Sequence, residues 1–147
     1  MGPLRRCGVL LVESDPDHQW RLARLLTVDG NRGVGTSSGD GALALVAEWP
    51  VDLAIVAEDL PGMDGLEVVR RLRELAPSLA VVLMTRPDGP DTRVAAELAG
   101  ANAVLQKPFR PDVLRGCLSR LPLTPTTGHA LDDDAPAALA GGVAPAE

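Results

Sequence analysis

The stretch VAEDLPGMDG, which runs from Val56 to Gly65, takes an apolar segment into two acids and then into a turn rich in proline and glycine. An apolar run that stops at such a turn is typical of a buried strand followed by a loop. Ala57 stands where the apolar run meets that loop. Because ligand chemistry in parallel sheets lies at the carboxyl ends of the strands, the residue at this position bears directly on what the predicted sheet can do.

Apolar and amphipathic segments alternate along the chain. Short, mostly apolar runs predict strands at 8–12, 51–57, 79–85 and 101–106, and a further strand is expected near 32–36 in a glycine-rich region. Apolar residues at helical spacing predict a first helix with Asp15 as N-cap and Pro16 as its first residue, and further helices at 41–48, 65–76, 91–99 and 111–121. Five such units predict an α/β fold with a parallel sheet covered on both faces.

Length and composition limit the function classes. A chain of 147 residues fits one domain, and a net charge of -6 gives no electrostatic reason to expect nucleic acid or an anionic membrane surface as a partner. Residues 1–6 are interpreted as a short lead, 7–121 as the domain, and 122–147 as a disordered acidic tail rich in Pro, Ala and Gly. The first apolar run is too short for a signal peptide, and Cys7 and Cys117 have no metal or redox spacing, which favours a cytoplasmic protein with two buried thiols.

Polar residues follow four of the predicted strands, in the segments VESDP, VAEDLPGMDG, LMTRP and LQKPF. This set, in this order, resembles the receiver domain of two-component response regulators over about residues 7–121. The resemblance implies a flavodoxin-like, doubly wound (βα)5 fold with the strand order 2-1-3-4-5. In that family, acids after strands one and three hold Mg²⁺, the strand-three Asp is phosphorylated, a Thr or Ser binds the phosphoryl oxygen, and a Lys neutralises its charge.

The match to the family's functional residues is uneven. Thr85 falls on the hydroxyl position, and Lys107, the single lysine of the chain, falls on the ammonium position, before a proline whose peptide bond is cis in the family. Glu13 and Ser14 stand where the family has two acids, and Ala57 occupies the phosphoacceptor position. The resemblance therefore implies an atypical receiver, or pseudo-receiver, with no cofactor, no tight Mg²⁺ site and no enzymatic activity.

The parts that respond to phosphorylation also depart from the family pattern. Arg86 follows Thr85 where the family usually has a small residue, and Val104 stands where the family often has an aromatic residue that turns inward on activation. Phe109 is the only phenylalanine of the chain. We therefore expect the usual phosphorylation switch to be absent, because Ala57 replaces its phosphoacceptor and Val104 replaces the aromatic residue that responds.

Several acids near the predicted site allow more than one interpretation. Glu58 is expected to point away from the site because side chains alternate along a strand, while Asp59 has the right direction but lies further into the loop. Both are interpreted as solvated loop carboxylates, with Asp59 as a possible displaced phosphoacceptor. Asp15 is interpreted as an N-cap that has the alternative of reaching the pocket. We predict that Arg86 or Lys107 pairs with Glu13 or Asp15 in place of the metal.

Two residues of the first helix and one loop carry weaker predictions. His18 is interpreted as a packing residue on the apolar face of the helix, and Trp20, about 200° away at 100° per residue, as an outward-facing partner contact. The segment RPDGPD, residues 86–91, is either an ordinary turn or a loop held in one state by its prolines.

The function that these expectations favour is that of a stand-alone atypical receiver in, or derived from, two-component phosphorelay signalling. It is predicted to bind a protein without being phosphorylated, either a histidine kinase, another regulator, an output protein or a second copy. The predicted surface comprises helix four, strand five and helix five, about residues 91–121, with Trp20, Val104 and Phe109 as candidate contacts. Phosphotransfer to Asp59 and small-molecule sensing in the pocket freed by Ala57 are the alternatives, and neither nucleic acid nor a membrane is an expected partner.

Overall fold

A computed structural model describes residues 7–123. The predicted lead at 1–6 and positions 124–147 of the predicted tail lie outside the described residues. The described part of the chain contains five strands and five helices in strict alternation. They are β1 Gly8–Val12, α1 Pro16–Val28, β2 Arg32–Thr36, α2 Gly39–Glu48, β3 Leu53–Ala57, α3 Gly65–Leu75, β4 Ala80–Thr85, α4 Arg93–Ala99, β5 Ala103–Gln106 and α5 Pro111–Ser119.

The strands form one parallel sheet in the order β2-β1-β3-β4-β5. Every residue of β1, β3 and β4 is buried, which explains why these three strands are continuous apolar runs rather than alternating ones. Helices α2, α3 and α4 contact one another in sequence and therefore share one face of the sheet. The flavodoxin-like fold and the strand order implied by the resemblance are confirmed.

Polar side chains cap three of the helices. The Asp15 carboxylate accepts hydrogen bonds from the backbone N–H groups of Asp17 at 3.0 Å and His18 at 3.5 Å, so its predicted role as N-cap is confirmed. Ser38 caps α2 and Asp64 caps α3 in the same way. Such caps satisfy backbone donors that have no partner within the helix, and they define where each helix begins.

Several predicted bounds are wrong by one or two residues. Helix α4 begins at Arg93 rather than residue 91, because the Asp91 carboxylate accepts the Arg93 N–H and holds the residues before it in a turn. Helix α5 ends at Ser119, two residues earlier than predicted. Within residues 7–123, no helix is both long and apolar enough to cross a membrane, and Cys7 and Cys117 are buried free thiols, as predicted.

Candidate functional site

The predicted site residues lie at the edge where the carboxyl ends of the strands meet. Strand pairing places Val12 beside Val56, Ala57 beside Met84, and Thr85 beside Gln106, so the loops after β1, β3, β4 and β5 start at one edge. This parallel register, rather than nearness in sequence, brings Glu13 and Lys107 together. The two residues are 94 positions apart in the chain.

Glu13 is the centre of the site. Its side chain is only 2% exposed, and its Oε1 atom lies 2.7 Å from Lys107 Nζ and 2.7 Å from His18 Nδ1. Its Oε2 atom accepts the backbone N–H of Asp15 at 3.0 Å. Both carboxylate oxygens therefore have protein donors, and the predicted pairing of a cation with an acid in this pocket is confirmed for Lys107 and Glu13.

The electrostatic environment keeps Glu13 ionised. Burial alone raises the pKa of the Glu13 carboxyl, because it disfavours the charged form. Hydrogen bonds from His18, Lys107 and the Asp15 backbone, together with the charge of Lys107, outweigh that effect and lower the pKa from 4.5 to about 2. The carboxylate is therefore charged at neutral pH, and because it is buried it needs the Lys107 ammonium and the hydrogen-bond donors around it.

Lys107 is held in place from two sides. Its backbone N–H donates to the Thr85 carbonyl at 2.9 Å, and the peptide bond to Pro108 is cis, as the resemblance implied. Its side chain is 23% exposed, so the ammonium lies at the mouth of the site while its partner carboxylate lies beneath. The Lys107–Glu13 contact thus connects the loop after β5 to the end of β1.

His18 is the site residue that sequence reasoning missed. Helical periodicity predicts a packing role, and the His18 ring does contact the Phe109 ring in a T-shaped arrangement at a centroid distance of 5.9 Å. Its Nδ1 atom, however, bonds Glu13. The signal lay in its position: Asp15 caps α1, so a residue three positions later lies in the first turn of a helix that starts at the end of β1.

Ala57 ends β3 fully buried and has no polar side-chain atom. Gly65, the first residue of α3, packs directly on it: a Cβ built at Gly65 would lie 2.2 Å from the Ala57 carbonyl oxygen. Asp59 is exposed, and its carbonyl oxygen accepts a hydrogen bond from the Ser14 hydroxyl at 3.4 Å. Of these residues, only Asp59 has a carboxylate, and it lies on the outside.

Glu58 differs from its prediction as a solvated carboxylate. It is half-buried, and its Oε1 atom accepts the backbone N–H of Arg86 at 3.1 Å, which connects the loop after β3 to the loop after β4. Arg86 itself is exposed, and its guanidinium lies beside Gly89 rather than beside Glu13 or Asp15. The alternative pairing of Arg86 with the pocket acids is therefore wrong.

The oxygen donors near the site do not match the needs of Mg²⁺, the ion that the resemblance implies. Mg²⁺ takes near-octahedral oxygen coordination through one or more carboxylates. Glu13 already holds two nitrogen donors on one oxygen, Asp15 caps α1, and Ala57 supplies no side-chain ligand. Within residues 7–123, no three His, Cys, Asp or Glu side chains form a group able to hold a metal ion.

The candidate partner contacts Trp20, Val104 and Phe109 are only partly exposed, and Trp20 was the one predicted to face outward. Trp20 is half-buried, and the Arg24 guanidinium lies 5.3 Å from its ring centroid, so a cation covers the ring face. Val104 and Phe109 are also half-buried. The large apolar side chains that are exposed on α4 and α5 are Val94, Leu98 and Val113.

Comparison with known proteins identifies related sequences. The family model described as "Response regulator receiver domain" matches residues 9–119. Transcriptional regulatory protein TcrA of Mycobacterium tuberculosis is 35% identical over 119 residues, which cover 77% of this chain and 47% of TcrA. Response regulator protein FleR of Pseudomonas aeruginosa is 34% identical over 131 residues, which cover 89% of this chain and 27% of FleR. The chain thus spans less than half the length of these relatives.

Solved structures share the fold. A response regulator receiver domain protein from Clostridium thermocellum superimposes with a TM-score of 0.72 at 23% identity, covering 77% of this chain and 91% of that one. The signal receiver domain of a signal transduction histidine kinase from Syntrophus aciditrophicus superimposes with a TM-score of 0.70 at 26% identity, covering 78% and 88%.

Proposed function

The chain belongs to the response regulator receiver family, and from that premise we propose that it is an atypical receiver that binds a protein partner in the cytoplasm without being phosphorylated. The observation that carries this proposal is that Lys107 and His18 both form hydrogen bonds with Glu13, while the neighbouring strand β3 ends in Ala57. In this proposal Ala57 occupies the phosphoacceptor position, so the reaction lacks its nucleophile.

The ion pair supports a fixed state of the site. A receiver that is phosphorylated needs its lysine to be available to the phosphoryl group, whereas here Lys107 Nζ already lies 2.7 Å from a buried carboxylate. Release of Lys107 would leave Glu13 charged and only partly compensated, which is costly in a buried environment. We therefore propose that the pair takes the place of both metal and phosphoryl group, and that tight Mg²⁺ binding does not occur.

The proposed partner surface is formed by α4, β5 and α5. Val94 and Leu98 are 71% and 84% exposed and lie four residues apart, on one side of α4. Val113 adds an exposed apolar side chain on α5. A protein partner fits this surface better than nucleic acid, since the chain has a net charge of -6. A histidine kinase, another regulator, an output protein and a second copy all remain within the proposal.

Incubation with acetyl phosphate and Mg²⁺, followed by intact mass measurement, tests the proposal. We expect no phosphate adduct on the wild-type protein. An adduct that is lost in Asp59→Asn, but kept in the exposed loop control Asp88→Asn, would contradict the proposal and establish Asp59 as a displaced acceptor. A Ser14→Asp, Ala57→Asp variant supplies a positive reference, because it restores two of the missing carboxylates.

A further inference from the structure

Helix α4 is held to the rest of the domain much more firmly at one end than at the other. We propose that α4 opens from its N-terminal end, while Arg73 of α3 keeps its C-terminal end in place, so that residues 88–95 exchange between a docked and an open arrangement. The helix has seven residues, of which only Ala96 is buried, and Val94 and Leu98 are 71% and 84% exposed. Because so short a helix is marginal by itself, its stability depends on contacts with neighbouring elements.

Arg73 holds the C-terminal end of α4. The carbonyl of Gly100, directly after the helix, accepts hydrogen bonds from Arg73 Nη2 at 2.7 Å and Nε at 3.2 Å. The same guanidinium donates to Asn102 Oδ1 at 3.0 Å and to the Pro77 carbonyl at 2.8 Å. Asn102 Oδ1 also accepts the N–H of Val81 on β4 at 2.8 Å. One charged side chain thus connects the end of α4 to α3 and to β4.

Gly100 allows Arg73 to lie this close. Its φ of 115° is left-handed, and its N–H donates to the carbonyls of Ala96 and Glu97, which ends the helix. A Cβ built at Gly100 would lie 2.9 Å from Arg73 Cγ. The glycine therefore serves both the turn that ends α4 and the packing of α3 against that turn.

The N-terminal end of α4 has no comparable contacts. Thr92 makes no side-chain hydrogen bond to the first turn, and Arg93 places a cation where the helix dipole disfavours positive charge. The Asp91 carboxylate accepts the Arg93 N–H and pairs with its guanidinium, but the two residues belong to one segment and move together. Within residues 7–123, no hydrogen bond connects residues 88–95 to another strand or helix.

Space also separates the start of α4 from the sheet. A polar cavity of about 270 Å³ lies there, lined by Thr92 and Arg93 on one side and by Val104 and Gln106 of β5 on the other. This volume equals that of about nine water molecules at about 30 Å³ each. The start of α4 therefore buries little apolar surface against the sheet, and few contacts are lost when it opens. Local opening is expected where buried apolar contacts are few.

The opening has a consequence for the proposed partner surface, and this consequence rests on the proposed function. Val94 and Leu98 share one side of α4 only while the helix is docked, so the affinity for a partner scales with the docked fraction. The opening itself is measured in the free chain. Its absence would leave the phosphorylation-independent function intact, whereas a phosphate adduct formed from acetyl phosphate would leave the opening intact.

Amide hydrogen exchange of the full chain, followed by NMR, tests the proposal. The protection factor of an amide is the ratio of its exchange rate in an unfolded chain to the observed rate. The Ala96 N–H donates to the Thr92 carbonyl, and the Ala101 N–H donates to the Ala96 carbonyl beside Gly100. We expect the protection factor of Ala96 to be at least about tenfold lower than that of Ala101. Equal protection factors at the two ends would overturn the proposal.

Arg73→Gln tests which residue holds the C-terminal end. It should lower the protection factor of Ala101 by about ten- to a hundredfold, the effect of losing hydrogen bonds from a charged group. Arg71→Gln is the matched control on the same helix, because Arg71 pairs with Glu67 within α3, and it should leave Ala101 unchanged. An unchanged protection factor of Ala101 in Arg73→Gln would contradict the role of this arginine.

Val94→Glu and Val94→Lys test the opening without removing a buried group, since Val94 is 71% exposed. In the first turn, a Glu should raise and a Lys should lower the protection factor of Ala96 by about two- to fivefold, through the helix dipole. The protection factor of Leu72, which is buried on α3, should not change in either variant. If Ala96 and Leu72 change by the same factor, both amides exchange through global unfolding and the proposal is overturned.

Discussion

Glu13 is the residue on which three parts of the chain converge. The Glu13 carboxylate, directly after β1, contacts three groups. They are the Lys107 ammonium from the loop after β5, the His18 imidazole from α1 and the backbone N–H of Asp15, the α1 cap. Because the carboxylate is buried, each of these contacts acts in a medium of lower dielectric than water and is stronger than at the surface. Among the site residues, Glu13 should therefore contribute most to the free energy of unfolding.

The free energy of unfolding at acid pH should depend on the ionisation of Glu13. The folded pKa of about 2 lies below the ordinary 4.5, so the contribution of the carboxylate is fully present above pH 4.5 and is lost as the pH falls toward 2. The difference corresponds to about 3 kcal/mol in the free energy of unfolding. In urea titrations followed by the fluorescence of Trp20 and Trp49, the wild type should lose more stability over this range than Glu13→Gln. Equal losses would contradict the low pKa.

The coupling between Glu13 and Lys107 can be measured directly. A double-mutant cycle of Glu13→Gln and Lys107→Met should give an interaction energy of about 1–3 kcal/mol, because the carboxylate is buried. The pair of Asp29 with Arg115 is the matched control: its Nε–Oδ2 distance is also 2.7 Å, but its side chains are 18% and 49% exposed. Its cycle should give less than about 1 kcal/mol. Similar values for both pairs would mean that burial does not strengthen the Glu13 contact.

At the scale of elements, the position of α3 relative to the end of β3 depends on the close approach of Gly65 to the strand. The atoms that a Cβ at Gly65 would meet all belong to the backbone of Ala57 and Glu58, at 2.2–2.9 Å. Backbone atoms cannot rotate away as a long side chain can, so Gly65 sets the distance between α3 and the strand end. The PGMDG turn is therefore a packing requirement as well as a sequence signature.

Gly65→Ala should lower the free energy of unfolding by about 1–3 kcal/mol, the usual range for overpacking. Gly116→Ala in α5 is the control, since the nearest atom to a Cβ there is Arg120 Nη1 at 3.9 Å. That substitution should stabilise the protein by about 0.5–1 kcal/mol through helix propensity. Urea denaturation of both variants measures the difference, and the same sign for both would refute the packing explanation.

Helix α4 should tolerate polar substitution of its outer face. Leu98→Gln is expected to change the free energy of unfolding by less than about 0.5 kcal/mol, because the side chain is 84% exposed. It should nevertheless weaken capture of the protein partner or self-association, measured by pull-down and by analytical ultracentrifugation. Leu75→Gln on α3, whose side chain is 57% exposed, is the control outside the proposed surface. Equal effects of the two substitutions on association would argue against the α4 surface.

At the scale of the whole molecule, the sheet brings four strand ends to one edge, and their side chains together determine the response to a metal ion. The wild type should show no change in melting temperature with millimolar Mg²⁺. The Ser14→Asp, Ala57→Asp variant should be less stable than the wild type without Mg²⁺, because like charges gather near Glu13, and should gain about 1.4 kcal/mol at ten times its dissociation constant. A Mg²⁺-dependent stabilisation of the wild type would overturn the proposed absence of a tight site.

Most of the architecture was predictable because it depends on local patterns. Apolar runs of five to seven residues located four strands, and caps such as Asp15 located helix starts. The bounds of α4 were not predictable, since they depend on the Asp91 side chain turning back onto Arg93. The partial burial of Trp20 was also missed, because Arg24 covers a ring that helical periodicity alone places outside.

The sequence by itself determined the family framework, the alanine at the end of β3 and the single lysine after β5, because these are matters of residue identity and order. Only the tertiary structure decided which cation pairs with Glu13, and that His18 joins it. Lys107 and Arg86 follow neighbouring strands with the same charge, and the choice between them depends on loop direction. The Glu58 hydrogen bond holds the Arg86 backbone, whereas the loop after β5 places Lys107 against the end of β1.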